Sequence, residues 1–318
     1  MKYSVLGCGR WGSFIAWVLS LKNEVALYGR EGGKTYSVLA ETGKNEYVTL
    51  NDNVLLTCNL KQALDFSDTI CISVSSQELR SFIKKIIPLG VENKVFVLCM
   101  KGLEVETGYR LSEILVQEGI KKENIAVWVG PGHIQAFTSG KPNCMVIDGY
   151  DGKLVHRLAD ELRSEVIRFY YGEDIIGSEV GAAAKNVFGI AAGMLDGGGY
   201  ETLKGVLMAR GAREISRLIK KMGGNELSAY GLCHLGDYET TLFSPYSHNR
   251  KFGEAFVKGE KFTKLAEGVA TTKALRMLGQ KYGEELPITN AVYSILYENK
   301  EPMKVFLELF SRSTRQEF

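Results

Sequence analysis

The first half of the chain alternates short apolar runs with amphipathic stretches. Residues 3–7 (YSVLG) predict a strand, and 10–21 (RWGSFIAWVLSL) predict a helix with one apolar face. Further apolar runs at 24–29, 69–75, 94–100, 125–130, 144–149 and 166–172 predict strands. Helical periodicity lies between some of them, as at 76–87 and 108–119. Such alternation predicts a parallel, doubly wound sheet with right-handed crossovers. From about Ile175 the strand signals stop. Helical patterns take over at 175–196, 202–222, 249–258, 272–283, 287–298 and 302–312. Pro287 and Pro302 head the last two, at positions where a missing N–H does no harm. The expected architecture is an α/β domain over residues 1–176 followed by an all-α domain over residues 177–318.

Composition narrows the class of partner. The 318 residues are 45% hydrophobic and 24% charged, which suffices for a full core without disulfides. A formal charge of +2 and the lack of like-charge blocks argue against nucleic acid as a partner. Of the six cysteines none forms a CxxC and most lie in apolar runs, so each reads as a small buried hydrophobe in a reducing cytosol. The N-terminus enters a glycine-rich turn without a signal-peptide pattern. The run 180–195 is too short for a bilayer and contains Lys185, so it reads as a core helix. The four histidines form no ligand-like pair, and no metal is expected.

The turn GCGRWG supplies Gly7, Gly9 and Gly12 in GxGxxG spacing, after a strand and at the head of a helix. This is the dinucleotide fingerprint of a Rossmann-type domain. Gly7 permits the tight turn, Gly9 permits close approach of a pyrophosphate, and Gly12 permits helix–strand packing. The second strand ends in LYGREGG, with Arg30 and no acid before it. Arginine suits a 2′-phosphate, which favours NADP over NAD. The alternative is an Arg30 stacked on adenine, with Glu31 on the ribose.

The stretch SEVGAAAKNVFGIAAGM at 178–194 places Lys185 among Gly, Ala, Val, Ile and Phe. An ammonium group is costly to desolvate, so it is either solvated or kept for chemistry. Lys101 ends one predicted strand, and Gly130 and Gly132 end the next, on the sheet edge where open α/β sheets bind ligands. In the helical half Asp237, Thr241, Ser247, His248, Asn249 and Arg250 gather donors suited to a phosphate or a polyol.

Together these pieces resemble the NAD(P)-dependent sn-glycerol-3-phosphate dehydrogenases of the bacterial soluble type along nearly the full chain. They are GxGxWG at 7–12, Lys101–Gly102, Gly130–Pro131, Lys185–Asn186, ARG at 209–211, LGD at 235–237, HNRKFG at 248–253, EGV at 267–269 and LPIT at 286–289. The resemblance implies a Rossmann domain joined to a helical one, in a 6-phosphogluconate dehydrogenase-like fold. It implies Lys185 as catalytic acid/base with Asn186 beside it, Asp237 holding the lysine, and Lys101 near cofactor and substrate. Thr241 and Asn249 match substrate contacts, Asn249 toward the phosphate. Arg10 and Trp11 match positions over the pyrophosphate, and Glu267 matches a cofactor contact. A homodimer is the family's implied assembly. The chain departs from the pattern at Gly132, where the family has Ser or Thr, at Ala136, often Glu, and at His248, usually Arg. Arg250 is the nearest candidate to replace that charge.

The implied reaction is reversible reduction of dihydroxyacetone phosphate to sn-glycerol 3-phosphate, which supplies phospholipid synthesis. Lys185 would protonate the oxygen as hydride reaches the carbon. Gly181, one turn before Lys185, is expected to leave room for substrate or nicotinamide. The alternatives are a related dehydrogenase acting on another ketose phosphate or a 2-keto acid, and a non-catalytic dinucleotide sensor.

Overall fold

A computed structural model describes residues 1–313, 316 and 317; the last residues of the expected helical domain, 314, 315 and 318, lie outside the described residues. Its contacts divide the chain into two compact units, Met1–Gly102 with Tyr109–Glu179, and Leu103–Gly108 with Val180–Phe318.

The first unit is built on one eight-stranded sheet. The strands are β1 (Lys2–Leu6), β2 (Glu24–Tyr28), β3 (Val54–Thr57), β4 (Thr69–Ile72), β5 (Val95–Leu98), β6 (Ile125–Val129), β7 (Asn143–Gly149) and β8 (Ile167–Tyr171). Their order is β3-β2-β1-β4-β5-β6-β7-β8. The six strands β1 to β6 pair parallel, so their C-terminal ends share one edge. Reversal of strand order beside β1 makes that edge the ligand-binding edge of a doubly wound sheet. Central strands are buried on both faces, as the unbroken apolar runs require.

The sheet is not wholly parallel as expected. β7 runs antiparallel to β6, and β8 then pairs parallel with β7. Residues 130–142 between β6 and β7 contain only the short helix Ile134–Thr138, whereas a parallel return uses a longer helical crossover. Strand β3 was not expected from the sequence. It is an edge strand of four residues with a half-exposed pattern, too short to show a period. Cys58, just beyond it, is exposed, against the expectation of a buried cysteine. Cys8, Cys71, Cys99 and Cys233 are buried, Cys144 is half-buried, and none of the six forms a disulfide among the described residues.

The second unit is helical. Helix Ile175–Gly198 starts within the first unit and continues as the core of the second, buried on every side from Ile175 to Leu195 except at half-buried Ile176. Helices Lys204–Lys221, His248–Lys258, Gly268–Tyr282, Pro287–Glu298 and Pro302–Glu308 follow. Pro287 and Pro302 occupy the first helical positions. Among the described residues no helix is long and apolar enough to cross a membrane.

Candidate active site

In the first unit the glycine turn links β1 to helix Arg10–Ser20. Gly7 has φ +113°, and a Cβ there would lie 2.3 Å from the Ser73 carbonyl oxygen. A Cβ on Gly12 would lie 1.8 Å from the Gly7 carbonyl oxygen, so only glycine lets the helix close on the turn. A Cβ on Gly9, by contrast, would meet nothing within 4 Å. Gly9 is the N-cap, gives no side-chain cap, and the first turn carries no acid. The turn thus offers bare backbone and uncapped N–H groups to an anion. These features fit a dinucleotide pyrophosphate.

Of the other expected cofactor residues, Arg10 and Trp11 open the helix after the turn, Arg30 and Lys101 follow β2 and β5, and Glu267 lies in the second unit. The guanidinium of Arg10 lies 5.4 Å from the Tyr47 ring centre, and Trp11 packs on Phe14. Arg30 is exposed just past β2. Lys101 follows β5, and its Nζ donates to the Gly130 carbonyl at 2.6 Å. Gly130 has φ +120°, a conformation glycine adopts at little cost. At Gly132 a Cβ would lie 2.3 Å from the Phe137 ring, which is buried and stacked 5.1 Å from Phe14. The large apolar ring has taken the space that a Ser or Thr side chain would need.

In the second unit Lys185 is 8% exposed. It is therefore not a solvated surface lysine. Its Nζ lies 2.8 Å from Asp237 Oδ2 and donates to Thr241 Oγ1 at 2.8 Å. Asp237 is fully buried, on the short turn Leu235–Asp237. Thr240 donates to Asp237 Oδ1. Thr240 and Thr241 both lie in the π-helical turn Glu239–Phe243, a rare form frequent at functional sites. Asn186, 6% exposed, accepts from Asn249 Nδ2 at 3.0 Å, and Asn249 Oδ1 accepts from the Gly268 N–H at 2.9 Å. Glu267 precedes that N–H and is half-buried at the head of helix Gly268–Tyr282.

The small residues of the lysine helix have a different purpose from the one expected. A Cβ on Gly181 would lie 3.0 Å from His234 Cβ, and one on Gly189 would lie 2.8 Å from Thr241 Cγ2. The room is therefore filled by protein: these glycines let residues 233–241 press against the helix, bringing Asp237 and Thr241 to Lys185. His234 Nδ1 lies 2.8 Å from the Gly181 carbonyl, which can only accept, so Nδ1 carries the proton. Nε2 then accepts from the Tyr238 hydroxyl at 2.7 Å. Burial lowers His234 to a pKa of about 4, so the ring is neutral at pH 7.

Ser247 and Arg250 have structural partners. Ser247 caps helix His248–Lys258 by accepting from the Arg250 N–H. Arg250 Nη1 pairs with Asp196 Oδ2 at 2.5 Å and Glu254 at 3.3 Å, and Nε donates to the Ser244 carbonyl. His248 packs edge-on to Phe262. Sequence reasoning had not singled out His234, Tyr238 or Thr240. A polar residue on either side of Asp237 was the available signal. Among the described residues no three His, Cys, Asp or Glu side chains gather as metal ligands.

Residues 2–154 match the family model of the NAD-dependent glycerol-3-phosphate dehydrogenase N-terminus, and residues 174–307 match that of its C-terminus. Glycerol-3-phosphate dehydrogenase [NAD(P)+] of Pelodictyon phaeoclathratiforme is 32% identical, with 100% of this chain and 99% of that protein covered. The enzyme of that name from Moorella thermoacetica is 36% identical, covering 93% and 92%. The crystal structure of glycerol-3-phosphate dehydrogenase from Coxiella burnetii superposes with a TM-score of 0.90 at 28% identity, covering 98% and 99%. The chain belongs to the NAD-dependent glycerol-3-phosphate dehydrogenase family.

Proposed function

We propose that the chain catalyses the reversible, NAD(P)H-dependent reduction of dihydroxyacetone phosphate to sn-glycerol 3-phosphate, with Lys185 as the acid/base. The carrying observation is the buried Lys185 ammonium held between Asp237 and Thr241. Residues 1–176 take the cofactor through Gly7, Gly9, Arg10, Trp11 and Gly12, and residues 177–318 take the substrate. Those cofactor residues would hold a reduced nicotinamide dinucleotide, whose chemistry when bound would be hydride donation to the substrate carbonyl carbon. As that carbon is reduced, its oxygen gains negative charge, and Lys185 transfers a proton to it. In the oxidative direction neutral Lys185 removes the hydroxyl proton.

Asp237 keeps a counter-charge on the amine that burial alone would neutralise. Thr241 fixes the direction of Nζ. Asn186 and Asn249 orient the substrate, Asn249 toward the phosphate with His248 beside it. Lys101, whose Nζ is held by Gly130, adds positive charge for the anionic ligands, and Glu267 contacts the cofactor. Ser247 and Arg250 build the loop that carries these groups. Arg30 favours NADP through its reach to a 2′-phosphate. The setting is the cytoplasm, the assembly is a homodimer, and the product supplies phospholipid synthesis.

The test is steady-state oxidation of NADH and of NADPH with dihydroxyacetone phosphate, set beside other ketose phosphates and 2-keto acids. Turnover that requires dihydroxyacetone phosphate, with the lower KM for NADPH, is expected. A different carbonyl compound preferred by an order of magnitude, or no carbonyl-dependent turnover, contradicts the proposal.

A further inference from the structure

Asp237 presents its two oxygens to two different donors. Oδ2 takes the Lys185 ammonium at 2.8 Å, and Oδ1 takes the Thr240 hydroxyl. The Thr240 oxygen also lies 3.1 Å from the Asp237 carbonyl oxygen. A hydroxyl has one proton, and the charged carboxylate is the stronger acceptor for it. The π-helical turn places the next hydroxyl, Thr241 Oγ1, on the amine of the same ion pair. Two consecutive threonines therefore brace the pair, one from the acid and one from the base. The carboxylate is fully buried and Thr241 is 2% exposed, so both contacts are largely withdrawn from water.

We propose that Thr240 is a positioning residue for the reaction described above: it holds the Asp237 carboxylate with Oδ2 turned toward Lys185, and so sets the pH range over which that amine can donate its proton. The inference rests on Lys185 being the acid/base. Thr240 touches Asp237 and acts on the reaction only through it. Without the hydroxyl, Oδ1 loses the donor that helps to set the carboxylate's rotation about its Cβ–Cγ bond, and a buried anion loses a charge-assisted hydrogen bond. Both effects weaken the negative partner of the ammonium. A buried ammonium with a weaker partner releases its proton at lower pH.

The experiment is the pH dependence of kcat for dihydroxyacetone phosphate reduction in wild type, Thr240→Val, Thr240→Ala and Thr240→Ser. Reduction requires the ammonium, so activity falls on the alkaline side as Lys185 deprotonates. Removal of one hydrogen bond to a charged group should move that limb down by about one pH unit. The valine and alanine variants are expected to show the shift, with little change in KM, while serine keeps the wild-type limb. Superposition of the valine and alanine limbs on wild type overturns the proposal. A serine variant that shifts with them also overturns it, because the methyl packing would then be what matters. Valine matches threonine in shape; if it does not fold, alanine and serine carry the same comparison. Lys185→Ala, run beside them, separates the two levels. Full activity there removes both readings, whereas lost activity with unmoved Thr240 limbs removes only this one.

Discussion

Lys185 and Asp237 are 8% and 0% exposed, and each is the other's charge partner. Burying either alone carries a large desolvation cost, which pairing and hydrogen bonds offset. Asp237→Ala should therefore destabilise the fold by about 3–5 kcal/mol, because it strands a buried ammonium. Combining Lys185→Met with Asp237→Leu should recover most of that stability while activity stays lost. Urea unfolding of the single and double variants checks this, and equal stability of both variants would show that the pair is not energetically coupled. The same residues show what sequence reading could supply. One charge in an apolar helix drew attention to Lys185. The position of its partner 52 residues later came from the family pattern, because spacing along the chain does not encode a tertiary ion pair. Thr240 escaped notice because a threonine has the same appearance in sequence whether it braces a carboxylate or faces water.

Two elements of the helical unit carry buried titratable groups with opposite responses to pH. Glu214 accepts from the Ile288 and Thr289 N–H groups and the Thr289 hydroxyl, capping helix Pro287–Glu298 from helix Lys204–Lys221. Burial outweighs these donors and pushes its carboxyl from 4.5 to about 7. Its stabilising contribution is complete below the unfolded value of 4.5 and is lost as pH rises through about 7. His234 is pushed from 6.5 to about 4, so its contribution is complete above 6.5 and is lost as pH falls toward about 4. Each change corresponds to about 3 kcal/mol. In wild type the two slopes oppose each other between pH 4.5 and 6.5. Glu214→Gln should make stability rise with pH across that window, and His234→Asn should make it fall. Unfolding midpoints at several pH values test this; parallel curves for wild type and both variants would contradict it. At this scale the sequence was informative where the period was long. The helices from 175 onward followed from apolar spacing and prolines. Strand β3 and the β6–β7 reversal did not, because a four-residue edge strand shows no period and strand direction depends on what the connection can span.

At the scale of the molecule, the proposed cofactor cradle and the proposed proton donor belong to different units and come from different kinds of sequence information. The cradle was readable locally, because Gly7 and Gly12 answer steric demands made by neighbours a few residues away and by Ser73. The proposed donor site was readable only in part. The reason for glycines around Lys185 was tertiary: Gly181 and Gly189 admit His234 and Thr241, not a ligand. Residues 103–108 join the helical unit although the strand–helix pattern around them belongs to the sheet, since contacts and not periodicity decide membership. The account of function rests on the amine at position 185. Its most direct test is the turnover of Lys185→Ala with dihydroxyacetone phosphate and NADPH, with cofactor affinity measured separately. Loss of general-acid catalysis predicts a fall in kcat of about 10²–10⁴-fold with the Kd for NADPH unchanged; turnover within a few-fold of wild type would contradict the account.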